Sequence, residues 1–478
     1  MRLLRGIYEG PGSHGSLRVA TGTKDVHAVL RGLPGEGYFP ALFGALVRTG
    51  EPARVSLSPM VKASEGSRVP RNPGRDLEEV IRRHPDTAAV LFVRSDAALL
   101  SGEKAPDVTL PRSPRTAQEV KLVTCGWEEA GMGEHEAADL ALESLVRAHA
   151  AAGEKSPRPT VNLFGPPVFS PGAEAEMEEA ERLLSLIGVG VNARLPLGAS
   201  VEDFSRLPRA WANILLYREV GDAATLYLQG EFGTPRVTTP MIGSAGTGAA
   251  LRAVGELCEI SAEEVQRVVW SELSRKAELP WYARLASPEA IRGRRVAIFG
   301  DFTYAVGLGY TIAKEVGLEV GPCGTYLKHL EQDFLFHAHT FTDEAFIADD
   351  PDEVAARLEN SNPDIIIGTY LEEEVADSLG VPFLPLCPPI VRPRFVEQPL
   401  MGYAGSASLA DFLDGALRRV GERWKRQERR LPWAGEALED LERIPAHLRS
   451  KTRRLAEERA RSLGSEEVSC KILEESRL

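Results

Sequence analysis

A few short stretches of this chain carry residue types at spacings that chemistry requires. Gly243-Ser-Ala-Gly-Thr-Gly248 is glycine-rich and sits between a predicted strand at Arg236–Thr239 and a predicted helix. Backbone N–H groups at such a junction cradle anions, but no Lys-Ser/Thr pair follows Gly248, so it is no Walker A loop and ATP hydrolysis is not expected on this chain. The alternative is a plain strand–helix turn. His337-Ala-His339 offers two imidazoles that would share a face if they stood on a strand. No cysteine or carboxylate pattern accompanies them, and ordinary polar histidines are the competing reading. Gly35-Glu36-Gly37 puts a carboxylate in a glycine-flanked loop, which by spacing alone is just a turn. The basic run Arg418–Arg430 is interleaved with glutamates and reads as a solvated, ion-paired helix face rather than a phosphate or partner site.

The five cysteines, Cys125, Cys258, Cys323, Cys387 and Cys470, are far apart and never spaced C-x-x-C. A disulfide framework or a self-contained zinc or iron–sulfur site is not expected. Any bound cluster must draw most of its thiolates from another chain.

The elements that would position these groups alternate. Thr160–Gly165, Val189–Leu195, Ile214–Tyr217 and Arg236–Thr239 read as strands, with helices at Ala173–Ile187 and through Leu228. A second such unit runs from Arg295–Gly300 through a helix near Tyr304–Val316 to a strand at Leu318–Val320. Asp350, as N-cap with Glu353 three residues on, starts a helix ending near Asn360. A strand at Ile365–Gly368 and a helix at Leu371–Leu379 closed by Gly380 follow. The pattern predicts an α/β fold of several Rossmann-like domains with parallel sheets. The tail differs: apolar spacings at Leu438, Leu441 and Ile444, then at Leu448, Leu455 and Ala456, indicate a small helical segment.

With 478 residues, about two to four domains are expected. The net charge of −13 disfavours nucleic-acid binding, which needs a concentrated basic face. No apolar run approaches the roughly 18 residues of a membrane span, and the N-terminal stretch does not read as a signal peptide. A cytoplasmic protein is expected.

Beyond this point the reading rests on resemblance. Tyr8-Glu9-Gly10-Pro11, Leu17–Ala20, Val26–Val29, Leu207–Gly221, Glu231–Pro235, Phe299-Gly-Asp301, Gly324–Lys328, Gly368-Thr369, Met401–Gly405 and Ile444–Arg449 together resemble the B-type subunits of light-independent protochlorophyllide reductases, a nitrogenase component 1-like family. The likeness covers essentially the whole chain. It implies three Rossmann-like domains (1–155 with a cluster loop, 156–290 and 291–425) and a small C-terminal helical domain at 431–478. It implies an oxidoreductase component that, with an N-type subunit in a heterotetramer of two N-type and two B-type chains, reduces ring D of protochlorophyllide to chlorophyllide. A [4Fe-4S] cluster shared with the N-type subunit would pass on electrons. They would come from ferredoxin by way of an ATP-hydrolysing, Mg-ATP-using iron protein of L type.

Carried over residue by residue, the family's cluster carboxylate, an Asp, falls at Glu36, one methylene longer. Met401, Gly402 and Tyr403 match a segment lining the porphyrin pocket. A family Cys falls at Ser95 and a family His near Pro389. The proton-donor Asp falls at Ser287, a poor general acid, with Glu289 two residues on. These departures keep two other readings open: a nitrogenase-like reductase of another tetrapyrrole, or a non-catalytic scaffold subunit.

Overall fold

The computed structural model describes residues 7–37, 54–64, 67–70, 72–127, 129–166, 172–277, 293–389, 398–427, 432–444, 452, 455–457, 459–460, 462–465 and 467–476. Its core is three parallel sheets. The first contains β1 (Val26–Gly32), β2 (Val55–Pro59), β5 (Ala89–Arg94) and β6 (Lys121–Thr124), in the order β2-β1-β5-β6. A two-stranded antiparallel ribbon, β3 (Val61–Ser64) with β4 (Ser67–Pro70), stands apart from it. The second sheet contains β7 (Thr160–Phe164), β8 (Gly190–Leu195), β9 (Ala212–Leu215) and β10 (Arg236–Val237), in the order β10-β9-β7-β8. The third contains β11 (Arg295–Gly300), β12 (Glu319–Thr325), β13 (Ala345–Ile347), β14 (Ile365–Gly368) and β15 (Phe383–Pro385), in the order β13-β12-β11-β14-β15.

Central strands such as β1 and β14 are buried along their whole length, as expected where helices cover both faces of a parallel sheet. One apolar core joins the second and third sheets and includes Leu409, Leu413 and Val420 of the long helix Gly402–Gln427. Another joins the first and second sheets, with Ala138, Leu142 and Leu145 of the helix Glu134–His149 against Phe164, Leu195 and Leu215. The tail has its own small core, with Leu441 of the helix Gly435–Glu442 against Ala456, Ala460, Val468, Ile472 and Leu473.

Local signals place most boundaries. Asp350 caps the helix Pro351–Asn360 by accepting from Asp352 N at 2.9 Å, with Pro351 at the first position, where its missing N–H costs nothing. Gly380 closes the helix Glu373–Leu379 at φ +63°. β12 is longer than the expected Leu318–Val320, because Pro322, Cys323, Gly324 and Thr325 continue it between β11 and β13.

Two expectations are corrected. His337 and His339 do not share a strand face, since the helix Glu331–Ala338 runs up to His339 as its C-cap. At helical spacing, residues two apart point in different directions. Gly243–Gly248 is no turn but the opening of the helix Gly243–Leu257, entered with Gly243 at φ +74°. An anion does sit at this N-terminus, and it belongs to the chain itself: the Glu315 carboxylate accepts from Ser244 N and Ala245 N, each at 2.9 Å. Glu315→Ala is therefore expected to lower stability by about 1 kcal/mol, as loss of a cap does. A shift in the urea midpoint measures it, and an unchanged midpoint would show that water replaces the carboxylate at no cost.

Candidate active site

The blocks Tyr8–Pro11, Tyr217–Glu219, Phe299–Asp301, Gly324–Tyr326 and Gly368–Thr369 are scattered along the sequence, yet they meet in space. Tyr8 stacks on Tyr326 with ring centroids 5.3 Å apart and tilts against Phe299 at 5.0 Å. Its hydroxyl donates to Glu372 at 2.6 Å, and Glu372 also accepts from Thr369 N and Oγ1. The last four blocks lie at or just beyond the carboxyl ends of β9, β11, β12 and β14, and Tyr8 packs onto them from the segment before the first helix; carboxyl ends are where open α/β sheets place their sites.

This junction is rich in buried acids. Asp301 caps the helix Phe302–Thr311 by accepting from Tyr304 N at 3.1 Å. Burial, reinforced by neighbouring Glu219, pushes its carboxyl well above the usual range. Glu219 accepts from Thr303 N and Oγ1. Glu176, on the helix Ala173–Leu186, takes the Tyr304 hydroxyl at 2.8 Å and Leu400 N at 3.1 Å. Burial raises its carboxyl to about 8 against the opposing pull of those hydrogen bonds.

That shift has a stability consequence. An unfolded chain releases this proton near pH 4.5, so from there to about pH 8 the folded state holds more protons. Its stability falls as pH rises through that window, by at most about 1.4 kcal/mol for each pH unit crossed. Glu176→Gln keeps the shape without the charge. The variant is expected to gain on the wild type by a few kcal/mol between pH 5 and pH 8. Urea midpoints at the two pH values check this; parallel pH dependences would mean the carboxyl is not held protonated.

At the rim, β1 and β5 pair from Val26↔Ala89 to Arg31↔Arg94, which sets Gly32 beside Ser95. Glu36 follows on the short 3-10 turn Pro34–Gly37, and its Oε2 accepts from Leu33 N at 2.6 Å. A Cβ on Gly32 would lie 2.2 Å from Glu36 Oε2 and 2.9 Å from Ser95 Oγ. Two positions singled out in the sequence, Glu36 and Ser95, therefore converge on one glycine. Ser95 is buried and caps the helix Asp96–Leu100, while Glu36 is half-buried. Leu33, next to this turn, stands exposed at 44%.

Met401 and Tyr403 are buried, Gly402 adopts φ +72°, and Gly402 N donates to Met241 O. The Tyr403 hydroxyl is buried, without a hydrogen-bond partner among the described residues, and lies close to Gly248. Pro389 accepts through its carbonyl from Tyr370 N, and neighbouring Pro388 from the Tyr326 hydroxyl. Ser287 and Glu289 lie outside the described residues. Among the described residues, no three His, Cys, Asp or Glu side chains form a metal-holding group, and burial raises the Cys125 thiol to about 11. Among the described residues, the donor chemistry of the rim, the Glu36 carboxylate and no thiolate, fits a metal centre whose other ligands come from a second chain.

The sequence reading missed Glu9, His135, Glu176 and Tyr304. Glu9 lies inside one of the family-like blocks, which was a usable signal. Glu176 lies beside Met177 on an amphipathic helix, and nothing in its spacing marks it.

Three parallel sheets with acids gathered near their carboxyl ends define an open α/β architecture. The chain belongs to the family described as nitrogenase component 1 type oxidoreductase, which matches residues 13–418. A solved structure titled "Nitrogenase Cp1 at pH 6.5" aligns with TM-score 0.69 over 88% of this chain and 95% of that chain, and its 16% identity limits the likeness to the fold. More particularly, the chain is similar to proteins named as the B-type subunits of light-independent protochlorophyllide reductases. The Chlorobium limicola protein is 32% identical over 84% of this chain and 76% of its own. The Heliobacterium modesticaldum protein is 30% identical over 99% of this chain and 97% of its own. No described helix is long and apolar enough to cross a membrane.

Proposed function

We propose that this chain is the B-type component of a light-independent protochlorophyllide reductase, acting with an N-type subunit to reduce ring D of the macrocycle. The observation that carries this reading is the rim around Gly32. There Glu36 holds a carboxylate beside exposed Leu33, a donor that a second chain would complete. In this reading the domains divide at 1–155, 156–290, 291–425 and 431–478. Glu36 supplies the oxygen ligand to a [4Fe-4S] cluster whose thiolates come from the N-type subunit. When bound, the cluster supplies one-electron transfer, fed from ferredoxin through an ATP-hydrolysing iron protein. Met401, Gly402 and Tyr403 belong to the wall of the macrocycle pocket, and burial of that apolar ring system supplies most of its binding energy.

Anaerobic co-expression with the N-type subunit tests this. The expected results are a stable complex, about four irons per pair of N-type and B-type chains as the cluster formula requires, a [4Fe-4S] electron paramagnetic resonance signal on reduction, and chlorophyllide formed once the iron protein and ATP are added. A stable complex without iron would overturn the reading in favour of a scaffold. An iron-containing complex inert toward protochlorophyllide would overturn the substrate assignment.

A further inference from the structure

The acids at the junction are mostly sealed, but one ionisable pair remains open to solvent. Glu9, in the loop entering the helix Gly12–Gly22, accepts from His135 Nδ1 at 2.8 Å and from His135 backbone N at 3.0 Å. Both contacts use the same oxygen, so the imidazole is fixed in orientation and tautomer. Nδ1 carries a proton toward the carboxylate and Nε2 faces away from it, as in any carboxylate-oriented histidine. The ring also lies against Tyr326, with centroids 5.8 Å apart. A side chain on Gly133 would strike Glu9 at 2.8 Å, so the backbone is shaped to let the carboxylate in. The pair keeps 18% and 19% of its side-chain surface exposed. Exposed His329, on the short 3-10 turn Lys328–Leu330 after β12, interacts electrostatically with both members. The pair therefore keeps an edge toward solvent beyond the carboxyl ends of the first and third sheets.

Resting on the function proposed above, we propose that His135, oriented by Glu9, is an acid of this junction that donates a proton to the substrate during reduction. Saturating one carbon–carbon double bond takes two electrons and two protons. The electrons come singly from the reductant protein. The Nε2–H bond of the imidazolium breaks as a C–H bond forms on one carbon, the other carbon takes its proton from solvent, and solvent at the exposed edge of the pair reprotonates the imidazole.

The surroundings suit the role. Burial alone would push His135 down, but the hydrogen bond and charge of Glu9 overcome this, helped by Glu134 and Glu219, and hold it above its usual value. Glu9 is correspondingly lowered, because His135 outweighs the effect of burial on it. The other groups facing the pair are Glu136 on the same helix, Tyr326 and His329 from the third sheet, and Arg18, which pairs with Glu134.

The test uses the assembled complex with its N-type partner, iron protein and ATP, comparing His135→Gln and Glu9→Gln with wild type. Iron content and the cluster signal are expected to be unchanged in both. His135→Gln is expected to lower kcat about 100-fold, the lower range for a lost general acid, with KM within about twofold for uniform binding left intact. Glu9→Gln is expected to move the alkaline limb of the kcat profile down by about one pH unit or more, since it removes an opposite charge. If wild type turns over and both variants match its kcat and pH profile, this assignment alone is wrong. If wild type carries its cluster and does not reduce the macrocycle, the functional reading falls and takes the assignment with it. Should His135→Gln fail to assemble, the near-isosteric Glu9→Gln decides, and an unmoved alkaline limb overturns the proposal.

Discussion

Glu36→Ala is expected to strip the iron–sulfur centre from the assembled complex, with iron binding weakened at least 10–100-fold, about the range seen even for groups behind a metal's direct ligands. The side chain has few other duties. It is half-buried and accepts one hydrogen bond from Leu33 N, so its loss should cost the fold little, and surface changes away from special features usually stay within about 0.5 kcal/mol. The carboxylate is bent back over Gly32, whose missing side chain leaves it room. That path lets the longer Glu bring its oxygens near a position a shorter Asp would reach directly. Glu36→Asp is accordingly expected to keep a cluster with an altered reduced spectrum. Iron analysis and the paramagnetic signal of the co-purified complex measure both variants. Full iron and an unchanged spectrum in Glu36→Ala would remove this residue from the ligand set.

The second large effect concerns Gly15. The helix Gly12–Gly22 crosses Glu134–His149 so closely that a Cβ on Gly15 would sit 1.8 Å from Glu134 O and 2.8 Å from its carbonyl carbon. The obstacle is backbone, so no rotamer change relieves it, and the helices must separate. Overpacking of this kind typically costs about 1–3 kcal/mol and sometimes more, so Gly15→Ala is expected to destabilise by about 3 kcal/mol or more. Gly230, inside the helix Asp222–Phe232, has nothing within 4 Å of the place a Cβ would take, so Gly230→Ala should stabilise by about 0.5–1 kcal/mol. Urea midpoints of the two variants should move in opposite directions, and a neutral Gly15→Ala would mean the helices slide apart freely. Because Glu134 and His135 open the displaced helix, Gly15→Ala should also disturb the Glu9–His135 contact.

Much of the fold was legible in the sequence. The strands at Arg295–Gly300 and Ile365–Gly368 fall where the sequence reading puts them, because a short β-branched and apolar run between breakers has few other uses. The strand expected at Ile214–Tyr217 is instead Ala212–Leu215. Leu216 and Tyr217 are also buried, so hydrophobicity alone cannot say where pairing stops. Glycine misled in both directions. Gly243–Gly248 reads as a loop, yet tertiary packing with Glu315 at its N-terminus makes it helix. Gly15 carries no signal as a packing residue, since the helix it must touch lies more than a hundred positions away.

By itself the sequence determined the alternation of strands and helices and the family. These follow from local periodicity and recognisable blocks. Only the tertiary structure decided which groups the acids face: Glu9 with His135, Asp301 with Glu219, Glu176 with Tyr304. Such pairs arise where parallel strands of different sheets end at a common junction. Whether a carboxyl there is charged, shared or held protonated depends on burial and neighbours that no linear spacing encodes.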